Sequence, residues 1–148
     1  MSLIDVRGCF DKGLLKKVPP SSGLARKGLK QAEFFLNESR DLVKMGKQEM
    51  AVIALYNAFF HAARGLLFKD GIRERSHFCL ARYIEEEYVN KQILDSGFLD
   101  HLDVLRDLRH ETQYTLNEIV IDEDLEGLCD VCVNFIKAVS MLIKNSDS

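Results

Sequence analysis

The chain has 148 residues, with 20 Lys and Arg against 23 Asp and Glu, 47% hydrophobic residues and 29% charged. That length suits one domain of ordinary size and excludes a two-domain enzyme with a separate substrate lobe. It also allows roughly 68–70% of the unfolded surface to be buried without disulfides or a structural metal. The balance is that of a soluble globule, too apolar for disorder, and no apolar run approaches the ~18 residues of a spanning helix, so no membrane partner is expected. Asp5 and Arg7 do not fit a secretory signal. With no export signal, the four cysteines read as thiols and the location as cytoplasmic.

Nine glycines and two prolines are few, roughly 7% of the chain where typical usage is nearer ~12%. Both prolines fall together at Pro19-Pro20, and seven glycines serve the rest of the chain. A β-rich or α/β chain needs turn residues far more often. The expected class is all-α: an antiparallel up-down bundle of four main helices, one shorter helix and an N-terminal arm.

The arm takes residues 1–20 and the bundle 21–148. Leu3, Val6, Phe10 and Leu14 have helical spacing, which Gly8 and Gly13 weaken. After the prolines, Ser21 or Ser22 can cap a helix whose stripe is Gly28, Ala32, Phe35, Leu36, Ser39, Leu42 and Val43, ending at Gly46. The second helix runs from about Gln48 to Phe68, with Val52, Leu55, Phe59, Ala62 and Leu66 inward, and stops at Asp70-Gly71. The short intervening turn makes the two antiparallel neighbours. Ser76 caps a shorter helix over His77 to Tyr88. Asp95 or Ser96 opens a fourth, with Leu99, Leu102, Leu105 and Leu108 on one side, fraying over Tyr114 to Asn117. The last begins at Asp122, where acidic residues suit the helix dipole, and runs through Leu142.

Charge is divided unevenly. Residues 1–50 hold 10 cationic and 6 acidic side chains, a surplus of four positive charges, and residues 51–148 hold 10 and 17, a surplus of seven negative. A net acidic chain lacks the clustered cations of a broad DNA-binding face, but a local phosphate site is compatible with it.

Two helical segments carry polar groups beside their apolar stripes. In the second helix Asn57, His61 and Arg64 share a face, and in the fourth Arg106, His110 and Gln113 repeat that spacing, with Arg109 and Tyr114 nearby. Guanidinium forks bind phosphates, amides and an aromatic ring suit a base or ribose, and imidazole moves protons near neutrality. The plainer alternative is a salt-bridged helix face, for which Asp103, Asp107 and Glu111 could supply the partners.

The segments Tyr56 to Arg64, Asp70-Gly71, Ser76-His77 and Arg106 to Tyr114 together resemble the HEPN family (higher eukaryote and prokaryote nucleotide-binding domain), in its short stand-alone prokaryotic and archaeal form. The resemblance spans about residues 10–145. It implies a helical bundle, a homodimer, and a nucleotide- or RNA-phosphate-binding module paired with a minimal nucleotidyltransferase in a toxin–antitoxin-like system. Arg109, Gln113, Tyr114, Asn57, His61 and Arg64 are the binding candidates. Many relatives are metal-independent endoribonucleases, which makes Arg106 and His110 the catalytic candidates at a dimer interface. The family's nuclease motif has a longer gap than the three residues that separate Arg106 from His110 here. A third alternative is a purely structural dimerisation domain.

No cofactor or metal is expected. Cys129 and Cys132 form a lone CxxC inside a helix, the two helices carrying Glu-x-x-His that a di-metal bundle needs are missing, and no glycine-rich phosphate loop or serine elbow occurs.

Overall fold

The computed structural model describes residues 4–116 and 119–146. Leu3, from the N-terminal periodicity, and Asn117, at the expected frayed end, lie outside the described residues. In chain order the elements are α1 (Val6–Asp11), β1 (Leu15–Lys17), α2 (Ser22–Lys44), α3 (Gln48–Asp70), β2 (Ile72–Glu74), α4 (His77–Ile84), a π-helical turn (Glu85–Val89), α5 (Ser96–Tyr114) and α6 (Leu125–Ser146). The all-α class inferred from the shortage of turn residues is the class the chain adopts.

Helix α3 is the central element. Ala51, Val52, Leu55, Ala58, Phe59, Ala62, Ala63 and Leu66 are fully enclosed, because α2, α5 and α6 all pack on it. Enclosure on several sides explains a composition apolar enough for a membrane span; 72% of that stretch is buried inside the fold. Its tightest neighbour is α2. A Cβ at Gly28 would stand 3.0 Å from the His61 carbonyl, and one at Gly65 would stand 3.2 Å from that of Ala25. Two glycines facing each other's helix therefore let the backbones approach more closely than side chains would allow. The hairpin between them is fixed by Ser39, fully buried, whose hydroxyl donates to the Ala51 carbonyl at 2.9 Å.

Capping follows side-chain chemistry. Ser21 accepts from the Leu24 amide, Ser76 from that of Cys79, and Asp95 from that of Gly97. The last helix starts at Leu125, three residues later than its acidic run suggests, because Asp124 instead accepts from the Gly127 amide. Gly71 ends α3 with φ 78°, and the Val18 carbonyl would stand 2.5 Å from any Cβ there.

Two local features differ from the sequence reading. Residues 15–17 and 72–74 form a short antiparallel two-stranded pairing, Leu15 with Glu74 and Lys17 with Ile72, which three-residue strands are too short to signal. The N-terminal segment is also drawn onto the bundle, with Cys9 and Leu15 in the core. Packing of α1 on α4 brings Cys9 and Cys79, 70 residues apart, to a Cα separation of 5.9 Å, and their sulfurs are bonded. Only Cys129 and Cys132 remain as thiols, both buried in α6. Burial pushes both up from the ordinary thiol range, which makes them core residues rather than nucleophiles.

Phe59 is fully buried and stacks on Phe135 at 5.5 Å, whereas Phe34 is 54% exposed. Urea denaturation of Phe59→Ala should show a loss of about 3–5 kcal/mol, and Phe34→Ala a change within about 0.5 kcal/mol. Equal effects would contradict this placement of α3.

Candidate functional site

Three elements converge on one face. Helix α3 presents Tyr56, Phe60, His61 and Arg64. The Ser76 cap sets His77 as the first residue of α4, followed by Phe78 and Arg82. Helix α5 presents Asp103, Arg106 and Arg109.

The Tyr56 hydroxyl lies 2.6 Å from Nδ1 of His77. The imidazole also stacks on Phe60, with ring centroids 4.1 Å apart. On the far side of Tyr56, the Arg109 guanidinium lies 4.8 Å over the phenol ring, a cation–π contact favoured where water is excluded. Arg109 also donates to Gln113 at 2.9 Å, and it has no carboxylate partner among the described residues. Arg106 lies 5.8 Å over Phe78 and 3.8 Å from Asp103, which Arg82 engages more closely at 3.0 Å. The alternation of β2 turns Ile72 and Glu74 inward and Arg73 outward. Glu74, 8% exposed, thereby reaches Arg64 at 2.9 Å.

Glu85 lies 3.7 Å from Arg82, so four guanidiniums meet three carboxylates, Glu74, Glu85 and Asp103, and the face keeps a surplus of one positive charge. Burial, reinforced by Arg109, Arg106, Arg64 and His61, holds His77 below the ordinary histidine value of 6.5. His61 is lowered too, by burial and by Arg64. Burial pushes Tyr56 up to about 12, against the opposing pull of Arg109 and Arg106. At neutral pH a protonated phenol therefore meets a neutral imidazole. The Tyr56 hydroxyl has no other acceptor among the described residues, so it donates to Nδ1, and the ring proton resides on Nε2.

This polar network is not closed. Buried Arg82 Nε, Asp103 Oδ1, Arg106 Nη1, Arg109 Nε and Thr112 Oγ1 lack hydrogen-bond partners. Buried polar atoms of this kind take ordered water, an ion or a ligand as partner. A separate surface concavity at the α2–α3 turn is lined by Gly46, Met50 and Ile121.

The candidates chosen from spacing divide into three groups. Arg64, Arg106 and Arg109 converge on His77, and Gln113 holds Arg109. His61 stacks on Phe35 with centroids 5.4 Å apart, and Asn57 donates to the Ile53 carbonyl within its own helix. His110 and Tyr114 lie exposed against each other, 4.8 Å apart, on the second half of α5. His77 is the residue that helical spacing did not select. Its signal was the capping serine just before it, which turns the first residue of α4 back toward α3. Among the described residues, no group of three His, Cys, Asp or Glu side chains is gathered as a metal site.

A helical bundle with a cationic, histidine-bearing face is the class of structure defined so far. The family model for the HEPN domain matches residues 25–145, and the chain belongs to that family. Membership supports a nucleotide- or RNA-related function in general terms. No curated protein matches the sequence.

Because His77 and His61 take up protons less readily folded than unfolded, the unfolded chain binds more protons below pH ~6.5. Their contribution to stability is complete above that pH and falls as pH drops toward the lower folded values. Urea titrations between pH 7.5 and 5.5, about one unit either side of the ordinary histidine value, should show stability falling with acid. The fall should be shallower in His77→Gln. An unchanged slope in the variant would contradict the neutral assignment.

Proposed function

We propose that this HEPN protein is a nucleotide- or RNA-phosphate-binding module whose binding face is centred on Arg109, Arg106 and Arg64. The observation that carries the reading is Arg109. Its guanidinium lies on Tyr56 beside a neutral imidazole, with no carboxylate paired to it among the described residues. A half-buried guanidinium without a counter-ion is costly unless an anion completes it, and phosphate oxygens match its fork. The salt-bridged alternative accounts for Arg64, Arg82 and Arg106, which have Glu74 and Asp103. It does not account for Arg109.

Homodimerisation is part of the same proposal. Beyond Leu105 no residue of α5 is fully buried, and Tyr114 is 67% exposed. That half-helix is free to receive a second copy. Family membership is the support for a minimal nucleotidyltransferase as partner in a toxin–antitoxin-like pair.

Fluorescence anisotropy with a labelled RNA hexanucleotide tests the binding reading. Arg109→Ala should weaken binding about tenfold and reduce the salt slope by roughly one phosphate contact. Unchanged affinity in the variant would remove Arg109 from the site. Light scattering at micromolar concentration should give the mass of a dimer; a monomer would remove that part of the proposal.

A further inference from the structure

Arg64, Arg106 and Arg109 all lie beyond residue 50, so the cationic surplus of the first 50 residues contributes nothing to them. Part of that surplus meets two further arginines on the outer side of the β1–β2 pair. Lys16 stands directly opposite Arg73, and opposed side chains on antiparallel strands project from the same face. The Arg75 amide donates to the Leu14 carbonyl at 2.8 Å, which carries the pairing one residue further and puts Arg75 on the side of Arg73. Lys16, Lys17, Arg73 and Arg75 are all exposed. None of them has an ion-pair partner among the described residues.

We propose that this outer strand face is a second phosphate-contact surface, which holds the backbone of a single RNA strand bound at the Arg109 face. The inference rests on the phosphate-binding reading above and gives it a ligand class: an RNA several nucleotides long rather than a mononucleotide. Residues 7–17 precede the stretch 25–145 matched by the HEPN model, so Lys16 and Lys17 are contributed by a segment outside the family match.

The charges of the surrounding elements do not cancel the surplus. From α1 through β1 the cations are Arg7, Lys12, Lys16 and Lys17, and the acids are Asp5 and Asp11. At the end of α3, Asp70 is held by Lys69, Tyr83 and Tyr88. In β2, Glu74 turns inward to Arg64, which leaves Arg73 and Arg75 outside. Six cations thus meet two unpaired carboxylates, a surplus of four positive charges. Like charges directly opposite on a strand pair are destabilising, and an anion lying across Lys16 and Arg73 removes that cost.

Lysines on an exposed strand edge also discourage pairing with another chain. That role requires no connection to Arg64, yet the connection is present. One strand borders both surfaces: its inward Glu74 holds Arg64, its outward neighbours are Arg73 and Arg75, and the chain then passes through the Ser76 cap to His77. Arg73 and Arg75, two residues apart in extended chain, are separated by about 6.6 Å, comparable to the step between successive phosphates of an extended single strand. Continuity with a phosphate site favours RNA over an acidic peptide.

Fluorescence anisotropy of the full chain with a labelled, 5′-phosphorylated dinucleotide and an unstructured RNA dodecanucleotide tests the proposal. The strand variant combines Lys16→Gln, Arg73→Gln and Arg75→Gln; a control combines Lys47→Gln, Lys137→Gln and Lys144→Gln, exposed elsewhere. The strand variant should bind the dodecanucleotide about tenfold more weakly, with a salt slope lower by roughly two to three phosphate contacts, and the dinucleotide as wild type does. The control should change either affinity by less than about twofold. If the triple variant fails to fold, Lys16→Gln alone should lower the slope by roughly one contact. Unchanged dodecanucleotide binding in the strand variant, or an equal loss in the control, overturns the proposal. So does displacement of the RNA by oligoglutamate at equal charge, which would assign the face to acidic peptides. If Arg109→Ala weakens both RNAs and the strand variant weakens neither, the broader phosphate reading survives alone. If only the strand variant acts, the strand face stands and Arg109 leaves the site; if neither RNA binds wild type, both readings fall.

Discussion

Close contact between α2 and α3 sets the rotation of the central helix, and the rest of the molecule follows from that rotation. With Gly28 against the His61 carbonyl and Gly65 against that of Ala25, α3 has little freedom to turn about its axis. One side then faces α6 through Phe59 and Phe135, and the adjacent edge carries Tyr56, Phe60 and Arg64 toward α4 and α5. The same helix thus supplies the core and the floor of the site. A side chain forced between the glycines would displace both together, because packed interiors transmit small shifts.

Electrostatics on this face are ordered by what is already paired. Glu74 is buried and holds Arg64; Asp103 is shared by Arg82 and Arg106. These pairs cost desolvation and add little stability by themselves, but they fix guanidinium positions. Arg109 is held differently, by an aromatic face and an amide, which leaves its charge unspent. A neutral imidazole sits beside it because burial and the neighbouring arginines disfavour its protonation.

Much of the fold was legible in the sequence, for identifiable reasons. The stripes of α2 and α3, the Ser21 and Ser76 caps and the stop at Gly71 depend on local chemistry that a single chain displays. The pairing of β1 and β2 did not show, since each strand is three residues long and is held by a partner more than 50 residues away. The Cys9–Cys79 bond escaped for the same reason: it depends on the docking of α1 against α4. Within the site, helical spacing identified Arg64, Arg106 and Arg109, which share faces along single helices. It passed over His77, whose role arises between helices, and it grouped Asn57 with them although its amide is used within α3.

The central claim is that phosphate meets the protein where Tyr56, His77 and Arg109 come together. Chemical-shift mapping of the ¹⁵N-labelled chain on addition of adenosine 5′-monophosphate addresses it most directly. The largest changes are expected at the His77 imidazole, the Arg109 side chain and the backbone around Tyr56. Changes confined to the α2–α3 turn near Met45 to Met50, or to the exposed His110 and Tyr114 pair, would contradict it.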